Sequence, residues 1–245
     1  MKLKIEILRQ KDSESKPYLQ SIEYEALPED TVATLLTKLN AAPDLTDTNG
    51  DPIGKIHWQS SCLQKKCGAC AMRINGIPRL ACDTKLGELK KGRLCLEPLR
   101  KFPTVRDLIV DRSVMMDQLK TIQNWLEQTA VHNEKAAELC YDASRCLQCG
   151  CCLEVCPNYT VGRSFYGAAG FVPASKILSQ LKKGNSQKLP EIYRKSIYSG
   201  CGKSLSCHDI CPAGIDVEQK LVNSNAVAVW KKYFKDKPGN SQQRI

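Results

Sequence analysis

Fourteen cysteines, most of them bunched into three short runs, constrain this chain of 245 residues more than any other feature. A thiol-rich chain folds either around disulfides or around metal. The N-terminus, MKLKIEIL, offers no apolar stretch followed by a small-residue cleavage site, which argues against export and an oxidising compartment. The expectation is therefore that the clustered cysteines ligate metal.

The first run is Cys62-x4-Cys67-x2-Cys70, with Cys82 following after eleven residues, the spacing of a plant-type [2Fe–2S] site. Three thiolates on one tight loop wrap one side of the cluster. Gly68 lets the backbone approach without a Cβ, and loop N–H groups are left to bond the sulfurs. A zinc site would instead favour cysteine pairs at short spacing.

The second run is Cys146-x2-Cys149-x2-Cys152-x3-Cys156-Pro157, the frame of bacterial ferredoxins, in which three cysteines hold one cubane and the fourth crosses to another. The third, Cys201-x5-Cys207-x3-Cys211-Pro212, keeps that frame but carries Ser204 where the middle cysteine belongs. Crossing the two fourth cysteines assigns Cys146, Cys149, Cys152 and Cys211 to a [4Fe–4S] cluster. Cys156, Cys201 and Cys207 remain, which implies a [3Fe–4S] cluster or a four-iron cluster with a labile or serine-bound corner. Cys95 and Cys140 are expected to pack in cores, and Cys151, next to a ligand, also reads as a packing residue.

Between these runs the chain divides into two characters. Residues 3–8 and 18–26 alternate as strands around a turn at Asp12–Pro17, and Thr31 caps a helix with Val32, Leu35, Leu36 and Leu39 on one face. Asn75-Gly76 marks a hairpin between Ala71–Ile74 and Ile77–Ala81, which would carry Cys82 back towards Cys70. These elements make a small α+β domain. From Ser113 onward Val114, Met115, Leu119, Ile122, Trp125 and Leu126 recur at helical spacing, and Pro173 reads as opening a helix through Ile177, Leu178 and Leu181 that Gly184 ends. The second half is therefore expected to be helical, and the boundary is placed near residue 105, giving domains 1–105 and 106–245.

With 42% hydrophobic residues the chain can fill two ordinary cores, yet it contains no run of about 18 apolar residues that would span a membrane. The net charge of +10 is spread over small clusters, Lys65–Lys66, Lys90–Lys91–Arg93, Lys182–Lys183 and Lys231–Lys232, and reads as solvated surface and docking charge without a nucleic-acid partner.

The three frames in this order, together with CGACAMRINGIPRLAC (Cys67–Cys82), FPTVRDLIVDRS (Phe102–Ser113) and FYGAAG (Phe165–Gly170), resemble the iron–sulfur subunits of succinate dehydrogenases and fumarate reductases over nearly the whole chain. The resemblance implies an N-terminal β-grasp [2Fe–2S] ferredoxin-like domain and a C-terminal all-α, bacterial-ferredoxin-like domain. It implies a three-iron third cluster, and electrons running in series between FAD on a flavoprotein subunit and quinone at a membrane anchor cytochrome b. Dicarboxylate chemistry would sit on the flavoprotein, leaving this chain with no catalytic residue of its own. The chain would be peripheral on the cytoplasmic side of the cytoplasmic membrane. Ubiquinone-reducing members carry a tryptophan shortly after the cysteine matching Cys156 and a histidine after the one matching Cys201; here these places hold Val161 and Gly202. That is more similar to members using menaquinone and a single diheme anchor. Pro157, Asn158 and His208 are the candidate residues near quinone or cluster, while His57 and His132 read as surface or packing residues.

Three other readings make distinct expectations. A free-standing multi-cluster ferredoxin would run alone on gel filtration. A zinc-stabilised binding module would be colourless and iron-free. A subunit of thiol-dependent or heterodisulfide-type enzymes would carry further cysteine-rich repeats, which are missing before Ile245.

Overall fold

The computed structural model describes residues 1–42, 44–89, 92–129, 134–181 and 187–230. Strands occupy Lys2–Arg9 (β1), Tyr18–Glu25 (β2), Ala71–Ile74 (β3), Ile77–Leu80 (β4), Arg93–Glu97 (β5), Thr104–Arg106 (β6) and Ile109–Val110 (β7). Helices occupy Val32–Asn40 (α1), Ser113–Thr121 (α2), Glu134–Ser144 (α3), Cys151–Val155 (α4), Gly167–Gln180 (α5), Leu189–Ser196 (α6), Ser206–Asp209 (α7) and Val217–Asn225 (α8), the last continuing into a π-helical turn at Ala226–Trp230.

The chain forms two compact units. The first comprises Met1–Ser113, Leu147–Val155 and Ile210–Ala213; the second comprises Val114–Cys146, Cys156–Asp209 and Gly214–Ile245. A single cut near residue 105 does not describe them, because two cysteine-bearing pieces of the second half belong with the first unit.

In the first unit five strands are ordered β2-β1-β5-β3-β4, with β1 and β5 parallel and the other pairs antiparallel. Alternation in β1 buries Leu3, Ile5 and Ile7, opposite Tyr24, Ile22 and Gln20 of β2. In β5 the buried residues are Leu94 and Leu96, so Cys95 faces the other way and is only half-buried: the expected core thiol is not in the core. The helix α1 starts where Thr31 was expected to cap it, its side chain accepting the Thr34 N–H at 3.1 Å, and it buries Val32, Leu35, Leu36 and Leu39. A buried ion pair ties the unit's start to its end. Arg9 Nε donates to Asp107 Oδ1 at 3.0 Å, and the other guanidinium nitrogens reach Gln20, Ile53 O and Lys55 O. Burial works against the Asp107 charge, but Arg9 and the His57 N–H outweigh it and hold the carboxyl below its usual range. His57 is thereby a structural partner of Asp107, at 3.0 Å through Nδ1.

The second unit is helical. Eleven residues of α5 are buried, among them Phe171, Val172, Ile177 and Leu178, and it packs with α3, α6 and α8. Sequence signals put the start of this helix at Pro173; it begins at Gly167, and Pro173 lies inside it. Proline removes one intrahelical hydrogen bond, and burial of nearly the whole helix outweighs that loss. Gly184 lies outside the described residues. The expected pattern past Ser113 is also shorter than its periodicity: α2 stops at Thr121, Gln123 turns left-handed at φ 57°, and Trp125 is 48% exposed. Cys140 is half-buried on α3, its Sγ 3.2 Å from Ser179 Oγ, while Cys151 is fully buried as expected. Among the basic clusters Lys65, Lys66 and Arg93 are exposed; Lys90, Lys91, Lys182, Lys183, Lys231 and Lys232 lie outside the described residues, as does His132.

Candidate metal centres

The hairpin does what its sequence suggested. Asn75 and Gly76 both take positive φ, 49° and 80°, as a two-residue hairpin turn demands, and Ala71 pairs with Leu80. Cys70 and Cys82 flank the paired ends, and the Ala81 N–H reaches Cys70 O at 3.1 Å. The loop before the hairpin closes on the same spot. Cys62 Sγ accepts the N–H groups of Gln64 and Lys66 at 3.4 and 3.3 Å, and Cys82 Sγ accepts that of Lys65 at 3.3 Å. Leu63 and Lys65 adopt positive φ to aim these N–H groups inward, a conformation non-glycine residues take at a cost. The result is a backbone nest around sulfur, suited to thiolates.

Its electrostatics divide by depth. The Gln64 and Lys66 N–H groups, with Cys67, bring the Cys62 thiol down to about 7, while burial pushes Cys70 up to about 12. Four cysteines with inward N–H donors are the donor set a [2Fe–2S] cluster takes, and Cys62, Cys67, Cys70 and Cys82 are brought together here.

The second run begins α4. Gln148 and Gly150 adopt positive φ, 50° and 87°, and a Cβ on Gly150 would lie 3.1 Å from the Phe102 ring, so glycine is required there. Cys149 and Cys151 are buried and Cys152 is half-buried. Contact with the Cys151 side chain brings the Cys149 thiol down to about 7 despite burial, and the same contact raises Cys151. Two residues that sequence reading passed over fix this segment. The buried Glu154 carboxylate accepts from Arg73 Nη1 at 3.0 Å and from the Arg100 and Lys101 N–H groups at 3.1 and 3.0 Å. Arg112 donates to Gly68 O, Ala69 O and Cys149 O, each at 3.0 Å, and to Gln59 Oε1. The available signal was a carboxylate between ligand cysteines, and an arginine closing the segment Phe102–Ser113.

Cys211 belongs to the same compact unit as Cys149 and Cys152, whereas Cys156, Cys201 and Cys207 all belong to the other; Cys146 ends the segment just before Leu147. In the third run Lys203 and Leu205 repeat the left-handed pattern of the first loop, at φ 56° and 54°. Ser204 between them is exposed, its Oγ accepting from Ser206 Oγ at 3.4 Å. Pro157 and Asn158 are exposed, and Asn158 Nδ2 donates to Gly200 O at 2.7 Å. A Cβ on Gly202 would meet that Nδ2 at 2.7 Å, so the Asn158 carboxamide stands where a side chain at 202 would begin. His208 is half-exposed, with Nδ1 3.9 Å from Asp216 Oδ1. Among the described residues no three cysteine, histidine or acidic groups are gathered to grip a single ion. The arrangement spreads its thiols over broad loops.

A β-sheet domain with a nested four-cysteine loop, followed by a helical domain with two ferredoxin-type frames, defines an iron–sulfur electron carrier of two cluster-binding domains. Residues 4–117 match the 2Fe-2S iron-sulfur cluster binding domain family, and residues 142–215 match the 4Fe-4S dicluster domain family. The chain is 31% identical to the succinate dehydrogenase iron-sulfur subunit of Bacillus subtilis over 236 residues, covering 89% of each. It is 28% identical to the fumarate reductase iron-sulfur subunit of Wolinella succinogenes, over 84% of this chain and 88% of that one. A chain of the Mycobacterium smegmatis Sdh1 complex in the apo form shares the fold at TM-score 0.76 and 20% identity, covering 97% of this chain and 98% of that one. The chain belongs to the family of succinate dehydrogenase and fumarate reductase iron–sulfur subunits. It is an electron-transfer subunit of an oxidoreductase complex, and the family match does not favour the zinc-module and free-ferredoxin readings.

Proposed function

We propose that this chain relays electrons one at a time between FAD on a flavoprotein partner and quinone, most similar to the menaquinone case, at a membrane anchor cytochrome b carrying heme b. Cys62, Cys67, Cys70 and Cys82 hold [2Fe–2S]; Cys146, Cys149, Cys152 and Cys211 hold [4Fe–4S]; Cys156, Cys201 and Cys207 hold [3Fe–4S]. The observation that carries this reading is the crossed partition of the last two runs. Cys211 groups with Cys149 and Cys152, while Cys156 groups with Cys201 and Cys207; Cys146 ends a segment of the second unit, one residue before the piece that carries Cys149 and Cys152. The exchange of Cys211 and Cys156 between the two runs is what supports crossed ligation.

The clusters supply one-electron carriage. The chain's residues supply thiolates, N–H groups that set potential, and packing that limits water. Pro157, Asn158 and His208 follow ligand cysteines and are exposed or half-exposed, which suits contact with quinone or anchor. Succinate–fumarate chemistry is placed on the flavoprotein, and the chain sits peripherally on the cytoplasmic face. Anaerobically purified complex should carry about nine irons per chain, two plus four plus three. It should show three distinct resonance signals, one of them present in the oxidised state. Zinc without iron, or a single cluster type, would overturn the reading.

A further inference from the structure

The Arg112 guanidinium is placed where two cysteine loops meet. Its Nη1 donates to Gly68 O and to Cys149 O, both at 3.0 Å; its Nη2 donates to Ala69 O at 3.0 Å and to Gln59 Oε1. Gly68 and Ala69 lie between Cys67 and Cys70 of the first run, and Cys149 is the second ligand of the next. One nitrogen thus bonds a carbonyl of each loop. The loops also touch directly. A Cβ on Gly68 would stand 2.8 Å from Cys149 Cβ, 2.8 Å from Leu147 O and 3.1 Å from Cys149 Cα, and Gly68 has φ +72°. All these groups belong to the first compact unit.

Four carbonyl-type acceptors on one side chain leave little of the fork unused. Their dipoles point their negative ends at the guanidinium charge. Arg112 is half-buried, so its field at the two loops is less screened than that of a surface lysine. The acceptors of its four hydrogen bonds are all carbonyl-type oxygens, none of them a carboxylate.

We propose that Arg112 is the positioning residue for electron transfer between the first two clusters. Its fork holds the Gly68 and Cys149 backbones in contact, and its charge raises the reduction potentials of both neighbouring clusters. The proposal rests on the ligand sets given above. One electron crosses this contact: the donor cluster is oxidised by one, the acceptor is reduced by one, and no bond breaks and no proton moves. Electron transfer falls steeply with distance, so the direct loop contact and the shared Nη1 hydrogen bonds are the short path. A positive charge favours the state with the added electron, which fixes the sign of the potential shift.

The test compares wild type, Arg112→Lys and Arg112→Gln in the assembled complex, by redox titration of each resonance signal and by the spin–spin broadening between the reduced clusters. Wild type lacking two-iron and four-iron signals would sink the ligand assignment and not the arginine. With those signals present, Arg112→Gln should lower both potentials and weaken the broadening. Arg112→Lys keeps the charge without the fork. It should hold the potentials near wild type while the broadening still weakens and intercluster transfer slows by about an order of magnitude. A residue that merely braces the fold would lower iron content and thermal stability in both variants but leave the potentials of the surviving clusters unmoved. That outcome, or wild-type broadening in both variants, overturns the proposal. If Arg112→Gln does not assemble, the lysine variant alone decides: unchanged broadening and transfer rate refute the positioning role.

Discussion

On the proposed ligand assignment, Ser204 is the single residue that decides the type of the third cluster. It stands where the ferredoxin frame has its second cysteine, and it is exposed, accepting a hydrogen bond from Ser206. A serine hydroxyl is far less acidic than a thiol, and iron in these clusters prefers soft sulfur, so on that assignment the corner is expected to stay open. Ser204→Cys should supply the missing thiolate, abolish the oxidised-state three-iron signal and lower the potential of that site. Quinone turnover should slow several-fold, while succinate oxidation with an artificial acceptor at the flavin changes less. Resonance spectra of intact membranes decide it: if wild type never shows the three-iron signal, the site holds four irons and the argument from Ser204 fails. The same reasoning distinguishes Cys151. Its thiol is fully buried beside Cys149, and its position beside a ligand gives it no corner of its own.

Among the elements, the β3–β4 hairpin is the one whose geometry the first site needs most directly. Its turn requires positive φ at Asn75 and Gly76, and its paired ends present Cys70 and Cys82. Gly76→Val places a β-branched residue at φ 80°, at a cost of about 1–3 kcal/mol. The expected outcome is a loss of the two-iron signal in proportion to misfolded hairpin, with the other two clusters retained; equal loss of all three would show a global effect instead. This hairpin was legible because its signal is local, as were the Thr31 cap and the alternation in β1. What escaped sequence reading is long-range. The start of α5 six residues before Pro173 reflects burial overriding a local breaker. The outward face of Cys95 depends on which side of β5 meets the core, which alternation alone does not choose. Glu154 and Arg112 pair with residues 81 and 44 positions away, so no window of neighbouring sequence contains their partners. The cysteine spacings were legible for the opposite reason, since ligand geometry acts within a few residues.

For the molecule as a whole, the proposed function has the chain reach the membrane through its partners. No helix among the described residues is long and apolar enough to cross a bilayer, and the net charge of +10 favours an anionic surface. Extraction should therefore recover the chain with an integral anchor only in detergent, and raised salt alone should release little of it. Quantitative recovery as a soluble monomer after gentle lysis would defeat that expectation. The division into compact units carries a consequence for biosynthesis. The first unit includes Leu147–Val155 and Ile210–Ala213, so its last piece leaves the ribosome a hundred residues after Ser113. At about 5–20 residues per second, the β-sheet would wait about 5–20 s for the segments that complete it. Until Cys149 has been made, 37 residues and about 2–7 s after Arg112, the Gly68 and Ala69 carbonyls have no counterpart across the Arg112 fork. The order of synthesis thus makes the first cysteine loop complete well before the last piece of its own compact unit exists.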